Sequence, residues 1–447
     1  MSSGQEHGFG ELRSLLQQPP SAEVWEALCA LVFPAKWEKT ADQWLPYAMD
    51  QLDRRWPDDL RVMPLKWSQR KRPPSALQLV RHLRHDKSAH DQLPAVLGLL
   101  ERADAQLTTL TVWFLDTPRA SQLLSACANP ALRSVSLMYC DLDATLALGG
   151  LATARTLRID NSPISDEALS AILQASNTPE LRSFALRFRR PGPAKRLGKL
   201  LCASGAAARL ESLELHKNML TGHAELARTL AQVPWPALTA LDLSGCACDP
   251  AGLRALLDAA PALRELRLSE SKLSDEGVDE LARAARSFTH LDLGYSPASA
   301  ASIAALLEGE RCAQLRSLGL RAVALGEPGG RALWRGQVSQ TLERLELSGS
   351  AQLPAFWSLL DGASLPNLRQ LTVRDARLKG HEARALASAK LPALDEIELS
   401  HARLDAEALA ALEGAPWLPQ VRGLWRHRPT TIPRGAELRI MALQRHD

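Results

Sequence analysis

The stretch LRELRLSESKLSDEGVDELARAA, Leu263 to Ala285, decides the fold. In its first half Leu266 and Leu268 alternate with Glu265, Arg267 and Ser269, the period of two that marks a strand with one face buried. After Leu273 the spacing changes. Val278, Leu281 and Ala285 fall on one side of a helix, Ser274 stands at the N-cap position, and Asp275 and Glu276 suit the positive end of the helix dipole. A strand and helix this short cannot bury their own apolar faces, so the stretch must be one unit of a stack.

The same frame, L-x-x-L-x-L-x-x-z-x-L, recurs in LESLELHKNML (210–220), LTALDLSGCAC (238–248), LRSLGLRAVAL (315–325), LRQLTVRDARL (368–378) and LDEIELSHARL (394–404). Weaker copies begin at Leu107, Leu132, Ala154, Leu181, Phe288 and Leu342, which makes twelve units with a mean period of about 26 residues. A last, degenerate copy begins at Val421. Asp249 and Pro250 supply an N-cap and a first-turn proline to the helix that follows them.

This pattern resembles the leucine-rich repeat family, and its ribonuclease-inhibitor-like class in particular, over residues 107–425. The resemblance implies an α/β solenoid: a horseshoe arc with one parallel sheet inside and helices outside. In the family, position z is usually Asn or Cys, whose side chain bonds the turn leaving the strand. Asn218, Cys140 and Cys246 match; Ser162, Ser271, Ser296 and Ser350 can bond less fully; Val323, Ala376 and Ala402 cannot bond at all.

Residues 1–105 lack the frame. ELRSLLQQ, AEVWEALCALVF, TADQWLPYAMDQLDRRW, PSALQLVRHLRH and DQLPAVLGLLERA read as amphipathic helices, with capping boxes at Thr40/Gln43 and Ser75/Gln78. Five of the 11 tryptophans (Trp25, Trp37, Trp44, Trp56, Trp67) lie here. The expected organisation is a helical N-terminal cap domain over 1–105, a solenoid of 12–13 repeats over 106–426, and a capping tail over 427–447.

The 447 residues are 46% hydrophobic and 23% charged, a globular composition, and 53 Lys+Arg against 50 Asp+Glu leave only +3. That balance makes neither nucleic acid nor anionic membrane the expected partner. Seven scattered cysteines in a large chain read as free thiols of a reducing compartment, and neither a secretory start nor an apolar run of membrane-spanning length is found. The expected location is the cytoplasm, and the Ala-, Leu- and Arg-rich composition is that of a GC-rich, bacterial genome.

No H-E-x-x-H, G-x-x-x-x-G-K-[ST], G-x-S-x-G or paired C-x-x-C occurs, which removes the commonest zinc-hydrolase, P-loop, serine-hydrolase and zinc-finger chemistries. No catalytic residue, metal or cofactor is expected. Cys246 and Cys248 fall on position z and the frame's last apolar position, so they read as buried hydrophobes. His82, His85 and His90 read as a solvated basic helix face, with no further ligand at metal spacing. The loop RFRRPGPAKRLGK (187–199) carries six bases and no acid and could meet phosphates, though only Phe188 interleaves as a stacking ring.

Counting each unit from its first leucine, positions 4 and 6 are buried, and positions 3, 5 and 7 face out on the concave side. Position 5 offers Arg158, Glu214, Asp242, Arg267, Asp292, Glu346 and Glu398. Position 7 offers Trp113, Met138, His216, Arg321 and Arg374, and position 8 adds Phe114, Tyr139, Phe188 and Tyr295. Spaced charges with aromatic anchors are the chemistry of a protein-binding surface. The expected function is a non-catalytic scaffold or sensor that recognises a partner protein there. Two other readings stand beside it: an adaptor whose helical N-terminal domain recruits a protease or ligase, and nucleic-acid binding through 187–199. The apolar patch of Trp113, Phe114, Met138 and Tyr139 either binds a partner or seats the cap, and packing of Trp113 on Trp56 or Trp67 would decide for the cap.

Overall fold

The computed structural model describes residues 3–64, 67, 75–85, 93–94, 96–97, 107–126, 131–143, 145–187, 194–216, 224–349, 354–375, 377–399, 403–421 and 423–425. Two compact units make up the chain, Met1–Phe188 with Ala203–Ala206, and Arg189–Cys202 with Ala207–Asp447.

The first unit opens with helices Ser3–Gln17, Ala22–Val32 and Ala41–Arg55. They bury Leu12, Leu16, Leu28, Val32 and Leu52 around a cluster of indoles. Trp25 meets Trp56 with ring centroids 6.1 Å apart, Trp37 meets Trp44 at 5.4 Å, and Phe33 stacks on Trp67 at 6.4 Å. Thr40 stands at its helix N-cap but its hydroxyl makes no capping bond.

Residues 75–85 depart from the expected helix. Ser75–Leu79 is a single 3-10 turn, and His82–His85 is a strand, β1. The Ser75 N–H and hydroxyl both donate to the Glu38 carboxylate, so no capping box forms with Gln78. Arg81 and His82 then give their N–H groups to the Arg61 carbonyl, which starts sheet pairing instead of another helical turn. His82 and His85 are accordingly buried, not a solvated basic face. The His82 ring lies 2.9 Å from the Asp59 carbonyl and 2.8 Å from the Thr111 hydroxyl. His90 lies outside the described residues.

From β1 the first unit adds parallel strands in sequence order: β2 (Thr109–Trp113), β3 (Ser134–Met138), β4 (Thr156–Asp160) and β5 (Ser183–Arg187). The second unit continues the pattern with β6 (Ser212–Glu214), β7 (Ala240–Asp242), β8 (Glu265–Arg267), β9 (His290–Asp292), β10 (Ser317–Gly319), β11 (Arg344–Glu346) and β12 (Gln370–Thr372). A side pair, β13 (Arg377–Leu378) with β15 (Arg403–Leu404), flanks β14 (Glu396–Glu398), and β16 (Gly423–Trp425) pairs with β14. Among the described residues no helix is long and apolar enough to cross a membrane.

Register is in step throughout the second unit. Position 4 forms one column, Leu213, Leu241, Leu266, Leu291, Leu318, Leu345, Leu371 and Ile397, each residue directly beside the next and none more than 2% exposed. Helices pack behind it on their apolar sides; Asp275–Arg283 buries Gly277, Val278 and Leu281. Asp249 caps Pro250–Ala259 by accepting the Gly252 N–H at 3.0 Å. Ser274 occupies its N-cap without a side-chain bond to the backbone.

One conformation repeats wherever it is described. Position 8 is left-handed in all nine such repeats: Phe114 (φ 58), Tyr139 (54), Asn161 (48), Gly245 (77), Glu270 (60), Tyr295 (55), Ala322 (53), Gly349 (68) and Asp375 (55). Its N–H donates to the position-7 carbonyl of the next repeat, as in Tyr139 to Asp160 (2.9 Å), Gly245 to Ser269 (2.7 Å) and Gly349 to Arg374 (2.9 Å). The ladder thus runs past the strand into the turn. Position z closes that turn more fully than the serines suggest: Ser162 Oγ accepts the Cys140 N–H at 2.9 Å, and the Ser271 and Ser296 hydroxyls donate to the Leu268 and Leu273 carbonyls.

Two substitutions test this frame by urea unfolding. Leu266→Ala should cost about 2–5 kcal/mol, as for other large-to-small core changes. Ala322→Gly should stabilise by about 0.5–1 kcal/mol, because a methyl group gains nothing at a left-handed position.

Candidate functional site

The helix-free face of the sheet carries the residues singled out above, but not all in the open. Packed strands lie about 4.8 Å apart, so neighbouring side chains cover one another. Thr111, Asp160, Ala185, Asp242, Ser244, Ser348 and Thr372 are buried at positions 5 and 7, where solvent exposure is expected. In the first unit the charges neutralise each other: Arg158 Nε donates to Asp160 at 2.6 Å, and Arg187 approaches the same carboxylate to 3.9 Å. Arg187 thereby turns toward the sheet; Phe188 and the rest of the loop through 193 lie outside the described residues.

Among the described repeats of the first unit, exposed aromatic surface gathers at position 8; Tyr47, on the helix Ala41–Arg55, is exposed apart from it. Phe114 is 46% exposed and Tyr139 38%, and their rings stack at 4.9 Å with 17° between planes. The left-handed backbone swings both side chains out of the sheet, while Trp113 and Met138 lie half-buried beside each other on β2 and β3. Trp56 and Trp67 are engaged with Trp25 and Phe33 instead. The third exposed position-8 ring, Tyr295, carries the Arg321 guanidinium 5.2 Å above its centre.

In the second unit a recess of about 310 Å³ opens over Gly319. Asp292 and Glu346 stand on either side of it, at the same position on adjoining strands. Arg344 Nη2 lies 2.6 Å from His290 Nε2. Burial first, and Arg344 next to it, hold His290 below its ordinary pKa, so Nε2 accepts from the guanidinium. On the other rim Arg374 bonds Glu398 at 2.8 Å. Position 3, which carries His290 and Arg344, is absent from the sequence-based site, as is Gly319. The signal for Gly319 was a bare residue in a column of charges, between Asp292 and Glu346.

Two aspartates at position 5 show how the neighbourhood sets chemistry. Both accept a backbone N–H two residues on, Asp242 from Ser244 (2.8 Å) and Asp292 from Gly294 (2.9 Å). Burial raises the Asp242 pKa, but His216 at 3.8 Å and the Ser244 bonds outweigh it, and the net shift is downward. For Asp292 the Gly294 bond and the pull of Arg267 are too small to offset burial, and burial, with Glu346 and Asp242 facing it, pushes it up to about 6. Elsewhere burial drives the Cys246, Cys248 and Cys312 thiols up to about 12, which makes them packing groups. No cluster of His, Cys, Asp or Glu among the described residues could hold a metal ion.

A leucine-rich repeat family model matches residues 260–282, the repeat that opens the sequence reading. Comparison with curated proteins returns no match. Among solved structures, the complex of Rad7 and Elc1 from yeast aligns at a TM-score of 0.55 with 17% identity, over 73% of this chain and 82% of that one. Two weaker alignments are the TLR13–ssRNA13 complex (TM-score 0.44, 18% identity, 78% of this chain and 50% of that) and an internalin, InlF, of Listeria monocytogenes (0.40, 15%, 72% and 81%). The match and the yeast structure support an α/β leucine-rich repeat fold.

Asp292 makes a pH prediction. A carboxyl with a folded pKa near 6 and an ordinary unfolded value binds more protons in the native state between those values. It therefore lowers stability above pH 6, and the loss fades as pH falls toward 4. Asp292→Asn, which can still accept the Gly294 N–H, should raise stability by roughly 1–3 kcal/mol at pH 7. The gain should vanish near pH 4 in the same urea titration.

Proposed function

We propose that the protein is a non-catalytic scaffold that recognises a partner protein on the helix-free face of its repeats. The observation that carries the reading is the stacked Phe114–Tyr139 pair. Two large rings are held in a backbone conformation unfavourable for them and left in water, beside the apolar edges of Trp113 and Met138. Rigid aromatic anchors of this kind dominate protein interfaces. The proposal places the protein in the cytoplasm, assigns it to the ribonuclease-inhibitor-like class, and treats 1–105 as a cap domain, 106–426 as repeats and 427–447 as a capping tail.

A second reading, in which the helical segment recruits an effector enzyme, draws on a groove of about 740 Å³ along the helix Ala22–Val32, lined by Trp25, Ala30, Leu60, Val62 and Met63. Nucleic-acid binding has less support, since Arg187 is turned onto Asp160.

Affinity purification of the intact protein, with mass spectrometry and a nucleic-acid absorbance check, should recover a defined protein. Phe114→Ala and Tyr139→Ala should each weaken its binding by about 2 kcal/mol or more. Both changes should leave unfolding within about 0.5 kcal/mol, as at exposed sites. A loss of stability near 3 kcal/mol would mean that the rings seat another part of the fold, and recovery of a polynucleotide without protein would overturn the proposal.

A further inference from the structure

We infer that the groove along the helix Ala22–Val32 takes a basic amphipathic helix of a partner protein. The inference rests on the second reading above, recruitment through the helical segment, and adds the chemistry of what docks; it does not depend on the Phe114–Tyr139 pair.

The floor of the groove is apolar. Trp25, buried on the helix, donates its indole N–H to the Val62 carbonyl at 2.7 Å, which ties the helix to the segment carrying Leu60, Val62 and Met63. On the helix itself Ala22, Ala27 and Ala30 line the groove and are exposed. Side chains this short let a second helix approach to about 8–10 Å between axes. The 11 residues of the helix give a track about 16 Å long. An extended guest fits less well. The edge of β1 is already taken by the Val62 bridge and by the Met63 N–H, bonded to the His82 carbonyl, and the next residue, Pro64, has no N–H to carry a ladder further.

The rim is acidic. Glu23, Glu26 and Asp59 line it against a single base, Arg84. All three carboxylates are on exposed residues, and among the described residues none of them is ion-paired, with Arg84 or with any other base. Its own backbone N–H, and then the Ser21 hydroxyl, hydrogen-bond the Glu23 carboxylate and hold its pKa below the ordinary value, so it stays charged. Three carboxylates against one guanidinium, over an apolar floor, complement a helix with leucines on one face and lysines or arginines flanking them. Acidic flanks would be repelled by the rim, and a guest without an apolar face would leave the floor in water.

The test uses the intact protein and three fluorescein-labelled, end-blocked peptides at physiological salt. One is built of leucine and lysine at amphipathic helical spacing, one has glutamate for each lysine, and one is the first with its order scrambled so that leucines fall all round the helix. Fluorescence anisotropy should show at least tenfold preference for the first. Glu26→Gln combined with Asp59→Asn should weaken that binding at least fivefold, and Ala30→Arg, which puts a base into the groove, at least tenfold; Glu308→Gln, an exposed acid on the helix Ala300–Glu308, should change it less than twofold. Circular dichroism checks that Ala30→Arg folds, and the double variant carries the test if it does not. Equal binding of the three peptides, preference for another or none, or no loss in the double variant would overturn the inference. So would a dimer in sedimentation velocity that Ala30→Arg dissociates, because the groove would then hold a second copy. The recruitment reading fails separately: a purified partner that binds Ala30→Arg as tightly as the parent protein removes recruitment through the groove and leaves the peptide result standing.

Discussion

The left-handed residue at the eighth place of every repeat described there is the constraint on which the rest of the structure depends. A strand of three residues makes few hydrogen bonds to its neighbour. By turning left-handed at position 8, the backbone presents one more N–H to the adjoining repeat just as the strand ends, and the serine or cysteine that follows closes the turn. The leucine columns stay in register because both ends of each short strand are held. Helix placement follows, since each helix begins where that turn delivers the chain.

The same constraint explains why the functional features fall where they do. A left-handed residue throws its side chain away from the sheet, so whatever occupies position 8 becomes surface. Where the requirement is met with glycine or asparagine, at Gly245, Gly349 and Asn161, little conformational cost is stored. Where it is met with Phe114, Tyr139 or Tyr295, the cost is borne and an exposed ring results. On the strands themselves the logic differs: residues one repeat apart touch, so each side chain's chemistry is set by the one beside it. Asp242 beside His216 and Asp292 beside Gly319 are the same residue at the same place with opposite proton affinities.

Much of this was legible in the sequence because leucine spacing reports directly on burial. Leu213, Leu241, Leu266, Leu318, Leu345 and Leu371 are core, as the frame requires. The strand β1 escaped notice for a physical reason. In V-R-H-L-R-H, Val80 and Leu83 keep the frame, but His85 stands where the last leucine belongs; a buried imidazole broke the pattern and left a helical spacing in view. The left-handed turn was hidden because only two of its nine described residues are glycine. The recess over Gly319 could not be read from lists of exposed positions, since it is made by an absent side chain together with arginines from neighbouring strands that line it.

The buried cysteines have a consequence of their own. Cys140, Cys246, Cys248 and Cys312 sit in three repeats, Cys246 and Cys248 sharing one, all outside any disulfide and shielded from solvent. A thiol needs its thiolate to react, and burial withholds it, so alkylating reagents and peroxide should pass these sites by in the native protein. Stacked repeats can open locally, one neighbour at a time. The order in which these thiols become labelled is therefore a built-in record of where the stack comes apart first.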